Sequence, residues 1–266
     1  MWRKKKEEFV ESWRDASWLK GLSAHENDVH LPRVIAFFGP DGAGKSVQAE
    51  LLIDYFKSRG VKVKKAWVRS VHTFAYLLWV LLFKLNLCRD KSGIPMRVGT
   101  GFAVPYLRED GYGAVSPITM SPPVLRDQVS RFIWSMIELV SVVPVVVLQV
   151  YVPLLLGRVV VAERFVVDSI ASIAYFLDDE GFAESWRSQF LLKLVPQGTL
   201  FVFVDADYET ILARRGELSG PRKYTDFHRT IYRRFASILG AFYVNTSKES
   251  VEEDHQKILR FVLQMS

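Results

Sequence analysis

The run Val34-Ile35-Ala36-Phe37-Phe38, followed at once by Gly39-Pro40-Asp41-Gly42-Ala43-Gly44-Lys45-Ser46, decides how this chain is read. An unbroken apolar run of that length suits a strand buried on both faces of a parallel sheet. The pattern G-x-x-x-x-G-K-[ST] after it describes a loop whose amides turn inward. Its glycines reach backbone conformations closed to other residues, so successive N–H groups surround an anion at the positive end of the next helix. Lys45 then neutralises the β- and γ-oxygens of a triphosphate, and the Ser46 hydroxyl takes one magnesium position. An amphipathic segment from Val47 to Phe56 continues as that helix. ATP and Mg2+ are therefore the expected cofactors, with Gly39, Asp41, Gly42, Ala43, Gly44, Lys45, Ser46 and Val47 as the ATP-binding residues and Ser46 as a metal ligand.

The rest of the composition bounds the answer. At 266 residues and 49% hydrophobic, the chain is long enough for one α/β domain with insertions. A lone Cys88 excludes an internal disulfide framework and suits a reducing cytosol, and five scattered histidines have no metal-ligand spacing. The net charge of +6 fits anionic small molecules, nucleic acid or anionic lipid alike. No nucleic-acid-reading motif accompanies the dispersed basic residues. Residues 1–31 read as a helical N-terminal extension, with Phe9, Val10, Trp13 and Leu19 at helical spacing and no secretory signal.

Along residues 32–266 strands alternate with helices. Gly60 stops the first helix, and Val61 to Val68 alternates as a second strand that delivers Arg69 to its carboxyl end. Phe74 to Phe83 reads as a buried helix, and 88–123, rich in Gly and Pro, as a long loop insertion. Leu139 to Leu156 carries no charge over 18 residues, long enough to count as a membrane-span candidate. Pro144 and Pro153 break it and Gln149 interrupts it, so it is read as a kinked, buried helix, at a dimer interface for instance. Further strands end in Glu163-Arg164 and in Asp205, with a short last strand at Phe242 to Val244. Helices fill 168–178, 182–194, 207–215, 225–239 and 249–264. The pattern predicts a doubly wound parallel five-stranded sheet flanked by helices, with a helical and loop insertion and a lid.

Phosphoryl transfer needs magnesium and several cations around the moving group and little covalent chemistry. Lys45, Arg164 and Arg69 supply cations at strand ends. Glu163 is placed to hold magnesium through water or to help take an acceptor proton, and Asp205 competes with it. Arg214 and Arg215 open a basic segment, 214–224, read as a lid that closes over the triphosphate and excludes water.

Together these residues resemble the thymidylate kinase family of P-loop nucleoside monophosphate kinases over roughly 33–264, most of all the long thymidylate-kinase-like proteins of archaea. The family's F-x-G-x-D/E-G-x-G-K-S/T-T-Q is matched by Gly39 to Gln48 with the phenylalanines before it, save for Val47 at the threonine, its strand-end arginine by Arg69, and its Asp-Arg-Tyr/His by Glu163-Arg164-Phe165. The resemblance implies that Asp41 contacts the acceptor sugar's 3′-hydroxyl and that Arg69 and Arg164 grip the acceptor phosphate. It maps the lid arginines onto Arg214, Arg215 and Arg222. Gly42, where one branch of the family has an arginine, implies that the lid supplies the catalytic cation. Lys45, Glu163, Arg164, Arg214 and Arg215 thus form the expected catalytic set. The family's pyrimidine-holding residues have no counterpart, since Glu138 to Val142 and Ser172-Ile173 stand in their places; Arg126, Arg131 and Tyr175 are the candidates left to substitute.

The expected activity is magnesium-dependent transfer of the ATP γ-phosphate to a nucleoside monophosphate, dTMP by default, by a cytoplasmic homodimer that binds no nucleic acid. The alternatives are a P-loop kinase of a non-thymidine or membrane-resident acceptor, or a nucleotide-switched membrane-associated module.

Overall fold

The computed structural model describes residues 32–69, 128–216 and 222–265, with Ala75, Leu77, Leu78, Leu81, Arg89–Asp90 and Met120–Ser121 between them. The N-terminal extension, most of the 88–123 insertion, Arg126 and the centre of the expected lid lie outside the described residues.

Strand β1 (Val34–Phe38) is buried along its whole length and leads through the glycine loop into helix α1 (Lys45–Ser58). Strand β2 (Val63–Trp67) follows the turn at Gly60. Arg89–Asp90 (β3) and Met120–Ser121 (β4) pair antiparallel as a separate two-stranded ladder. Helix α2 (Gln128–Leu155) precedes β5 (Val159–Arg164), and α3 (Val166–Leu177) and α4 (Trp186–Lys193) precede β6 (Leu200–Asp205). Helices α5 (Tyr208–Arg215) and α6 (Arg222–Ile238), strand β7 (Phe242–Asn245) and helix α7 (Val251–Gln264) complete the chain.

The main sheet has the order β2-β5-β1-β6-β7 with every pairing parallel, so the protein is an α/β P-loop NTPase fold. Strand side chains alternate between the two faces. Val34, Ala36 and Phe38 face a core shared with α2, α3 and α6, while Ile35 and Phe37 face one shared with α1 and α7. Phe38 stacks on Phe203 with ring centroids 5.3 Å apart and tilts against Tyr232 at 5.9 Å. Each such ring, fully withdrawn from water, contributes about 1.5–3 kcal/mol. Because all five strands run the same way, their carboxyl ends open along one edge of the sheet, at the switch point where β5 and β6 flank β1.

Helix α2 agrees with the helical reading of this stretch and corrects its burial. It is one helix that passes through Pro144, winds as a π-turn over Val147–Tyr151 and resumes at Val152, so the β-branched run Val145 to Val152 is helical. Pro144 removes a ladder bond and the wider turn absorbs the misfit, which accounts for the break. The helix is also buried on one face only. Trp134, Val142, Val146 and Val150 enter the core, whereas Val140, Leu148 and Leu155 are exposed. An all-apolar composition hid this one-sidedness, since no polar residue marks the outer face. Phe74 to Phe83 departs in the same way where it is described: Ala75 is buried, but Leu77 and Leu81, one turn apart, are exposed.

Candidate active site

The glycine loop takes the conformations its residues demand. Gly39, Gly42 and Gly44 all have positive φ, at 143°, 91° and 99°. A Cβ at Gly39 would sit 2.0 Å from the carbonyl oxygen of Val204, so the loop leaves β1 pressed against β6. A Cβ at Gly42 would meet the Arg215 stem at 2.6 Å. The space where a side chain at 42 would stand therefore holds Arg215, one of the two arginines that end α5.

A cavity of about 530 Å³ lies over this loop. Asp41, Gly42, Gly44, Lys45, Ser46 and Val47 line its centre. Toward the β2 edge stand Arg69, Glu163 and Arg164, and Arg214 and Arg215 border it from α5. Gly39 and Ala43 shape the loop from behind. Lys45 is buried and donates to the carbonyls of Gly39 at 2.6 Å and Pro40 at 2.7 Å. Burial, with the Arg164 charge adding to it, lowers its pKa from 10.5 to about 8.

The acidic and basic groups at the strand ends are interlocked. Burial would raise the Asp41 carboxyl, but the charges of Arg164, Arg69 and Lys45 outweigh it and hold it well below the usual carboxylate range. Arg164 donates to Asp41 through one nitrogen and to Asp168 at 3.0 Å through another, and Asp168 also accepts from the Tyr232 hydroxyl at 3.2 Å. Arg69 reaches Asp41 at 3.7 Å. Its approach depends on an irregularity in the β2–β5 ladder, where the register slips between Ala66 and Trp67 so that Trp67 pairs with Arg164. The Gln149 side chain from the π-turn of α2 holds the Trp67 amide at 2.7 Å.

Ser46 donates to Glu163, whose other oxygen accepts from Lys65 at 2.5 Å. Burial pushes the Glu163 carboxyl up, and the Lys65 and Ser46 hydrogen bonds bring it below its ordinary value. One hydroxyl and one carboxylate, both hard oxygen donors in contact, fit magnesium, which keeps most of its shell for water and phosphate oxygens. Among the described residues no cluster of three or more His, Cys, Asp or Glu could hold a metal ion by itself.

Arg214 donates to the Thr246 hydroxyl at 2.9 Å and to its carbonyl at 2.6 Å, while the Thr246 hydroxyl donates to the Ala43 carbonyl at 2.8 Å. The end of β7 is thereby tied both to the glycine loop and to α5. Arg222 stands apart from the cavity, pairing with Glu209 at 3.1 Å and Asp226 at 3.6 Å on exposed surface. Asp205 is fully buried and bound by Arg229 at 2.8 Å, so of the two competing carboxylates only Glu163 faces the loop. Tyr175 packs edge-on to Tyr224 at 4.9 Å, near His228, whose burial lowers its pKa to about 4.

Sequence reasoning missed Lys65, Asp168, Thr246 and Asp254. Lys65 was readable from the alternation of β2, which puts Val63, Lys65 and Trp67 on one face. Asp168 was readable as the third residue of a helix beginning after Phe165, whose amide it accepts at 3.4 Å. Thr246 and Asp254 had no local signal, because only the tertiary fold brings the β7–α7 connection beside the loop.

No protein-family model and no curated protein matches the chain. Among solved structures it is similar to the thymidylate kinase from Ehrlichia chaffeensis, with a TM-score of 0.50 and 16% identity, over 87% of this chain and 98% of that one. The likeness is one of fold.

Proposed function

We propose that the protein is a magnesium-dependent kinase that transfers the γ-phosphate of a nucleoside triphosphate, of which ATP is the reference donor for assay, to a nucleoside monophosphate, with dTMP the default acceptor. The observation that carries this reading is the joint placement of Lys45, Ser46, Glu163, Arg164 and Arg69 on one cavity over the glycine loop. The likeness of fold to a thymidylate kinase supports it.

The roles follow from charge and position. The loop amides and Lys45 hold the donor polyphosphate, and Arg69 and Arg164, already gathered by Asp41, hold the acceptor phosphate beside it. Arg214 and Arg215 stand across the loop, where charge develops on the transferred group. Holding both phosphates together converts an encounter into an intramolecular displacement, and fixed cations stabilise the spread charge without reorganising. Ser46 and Glu163 would hold magnesium, which when bound neutralises phosphate oxygens. Lys45→Ala should lower kcat by about three orders of magnitude, as loss of a transition-state cation does. Steady-state assays with dTMP, dUMP, dCMP and dGMP and a γ-labelled triphosphate test both points, and unchanged turnover in the variant, or no acceptor phosphorylated, would remove the reading.

The exposed apolar face of α2 favours a second reading, in which the acceptor or the protein itself is membrane-associated. By length and composition α2 could cross a membrane, with mean hydropathy 2.1 over its most apolar window, although half of that window is buried in the protein. Addition of an apolar phosphate or alcohol in detergent to the acceptor panel, with vesicle flotation, separates this from the nucleotide kinase. A cytoplasmic homodimer remains the accompanying proposal, with the same face of α2 as the surface available to a second copy.

A further inference from the structure

The sheet order β2-β5-β1-β6-β7 puts the two ends of the cavity on opposite sides of the glycine loop. The β2 side carries Arg69 and Arg164, while the β7 side carries Thr246, Glu249, Val251 and Asp254. The acceptor phosphate of the proposed reaction is assigned to the first. A donor whose polyphosphate lies on the central loop then has its base at the second.

Most polar groups on that side are already committed. Glu249 is held by Lys257, and Thr246 by Arg214 and the Ala43 carbonyl. Gln48 donates to the Val251 carbonyl at 3.0 Å and pairs with His255 at 3.1 Å. Asp254 is different. It is 2% exposed and lines the cavity, yet its carboxylate accepts no hydrogen bond from any described residue. Its position is not accidental fraying, because α7 starts on a reciprocal cap between Ser250 and Glu253 that fixes the first turn and turns Asp254 inward. Burial, with Glu249 nearby, raises its pKa to about 6 against the opposing charges of Lys257 and Arg214. The carboxylate faces the cavity, where a ligand that brings N–H groups gives it the donors that the protein does not supply.

Resting on the kinase reading above, we propose that Asp254 selects the donor base, and that it favours a base presenting two neighbouring N–H groups, namely guanine, over adenine. Guanine offers N1–H and the 2-amino group side by side in one plane, which matches the two oxygens of a carboxylate in a bidentate pair. Adenine offers one amino group beside a ring nitrogen whose lone pair faces the second oxygen. Val47 and Val251 supply apolar surface beside the same end of the cavity.

The test measures binding of GTPγS, ATPγS, ITP and dGTP by calorimetry to the full-length protein and to Asp254→Asn. The expected result is binding of GTPγS roughly tenfold to a hundredfold tighter than ATPγS or ITP in the wild type, and within about threefold in the variant. ITP differs from GTP only by the 2-amino group, so the wild-type comparison decides even if the variant folds poorly. Equal binding of GTPγS, ATPγS and ITP, or a preference that survives in Asp254→Asn, overturns the inference while leaving the kinase reading in place. A loss confined to dGTP would show the carboxylate reading the ribose instead, and overturns it too. Failure of all four to bind removes the phosphate site itself.

Discussion

At the scale of single residues, Lys45 carries an observable consequence of its burial. With its pKa near 8, the ammonium is charged at pH 7 but is increasingly neutral above pH 8 in the ligand-free protein. A polyphosphate favours the charged form, so binding at high pH must take up a proton. Affinity should be flat from pH 6.5 to 7.5 and then fall by up to about tenfold per pH unit above pH 8, until the pKa of the bound lysine is reached. A pH-independent Kd between pH 7 and pH 10 would overturn this coupling between the Lys45 charge and phosphate binding. Gly39 makes a complementary case for stability. Its φ of 143°, and the Val204 carbonyl oxygen 2.0 Å from where a methyl group would stand, leave no room for alanine. Gly39→Ala should cost about 3 kcal/mol or more in urea unfolding, where alanine at an unconstrained position costs almost nothing.

At the scale of elements, β2 and α2 act as a pair in presenting Arg69. The slipped register after Ala66 turns the strand end toward Asp41, and Gln149 holds the Trp67 amide that the slip leaves exposed to α2. Gln149→Leu keeps the shape of the helix and removes the Gln149 acceptor from that N–H, a loss of about 1 kcal/mol. Because Arg69 lies two residues beyond, KM for the acceptor should rise while KM for the donor stays within twofold, and equal effects on both would dissolve the coupling. Such pairings explain what was legible in advance. The strands of the main sheet and their chemistry-bearing ends could be read from apolar runs followed by Asp41, Arg69 and Glu163-Arg164, since local composition and strand direction determine them together. The slipped register, the Gln149 contact and the Thr246 tie could not, because each is settled by contacts between segments about 80 to 200 residues apart.

At the scale of the whole molecule, the exposed apolar ridge of α2 sets the protein's surface apart. Leu155 is 84% exposed and Leu148 67%, while Val146 on the opposite face is fully buried. Leu155→Ser should therefore change stability by no more than about 0.5 kcal/mol, whereas Val146→Ala should cost about 1–3 kcal/mol. Thermal or urea unfolding of both variants checks the assignment of faces, and a large loss for Leu155→Ser would mean that the ridge is covered in solution. Sequence reasoning placed this helix correctly and misjudged its burial, because hydrophobicity reports what a residue tolerates and not which neighbour it finds.

The order of strands in the main sheet also governs how the chain is made. The central strand, the first of the five to leave the ribosome, finds its two neighbours only at Val160 and Leu200, more than a hundred residues later. Until then a wholly apolar segment waits without a partner, and pairings so distant close slowly. A half-synthesised chain is thus the species most exposed to aggregation, and the glycine loop, whose backbone rests on that strand and on β6, is among the last features to acquire its shape.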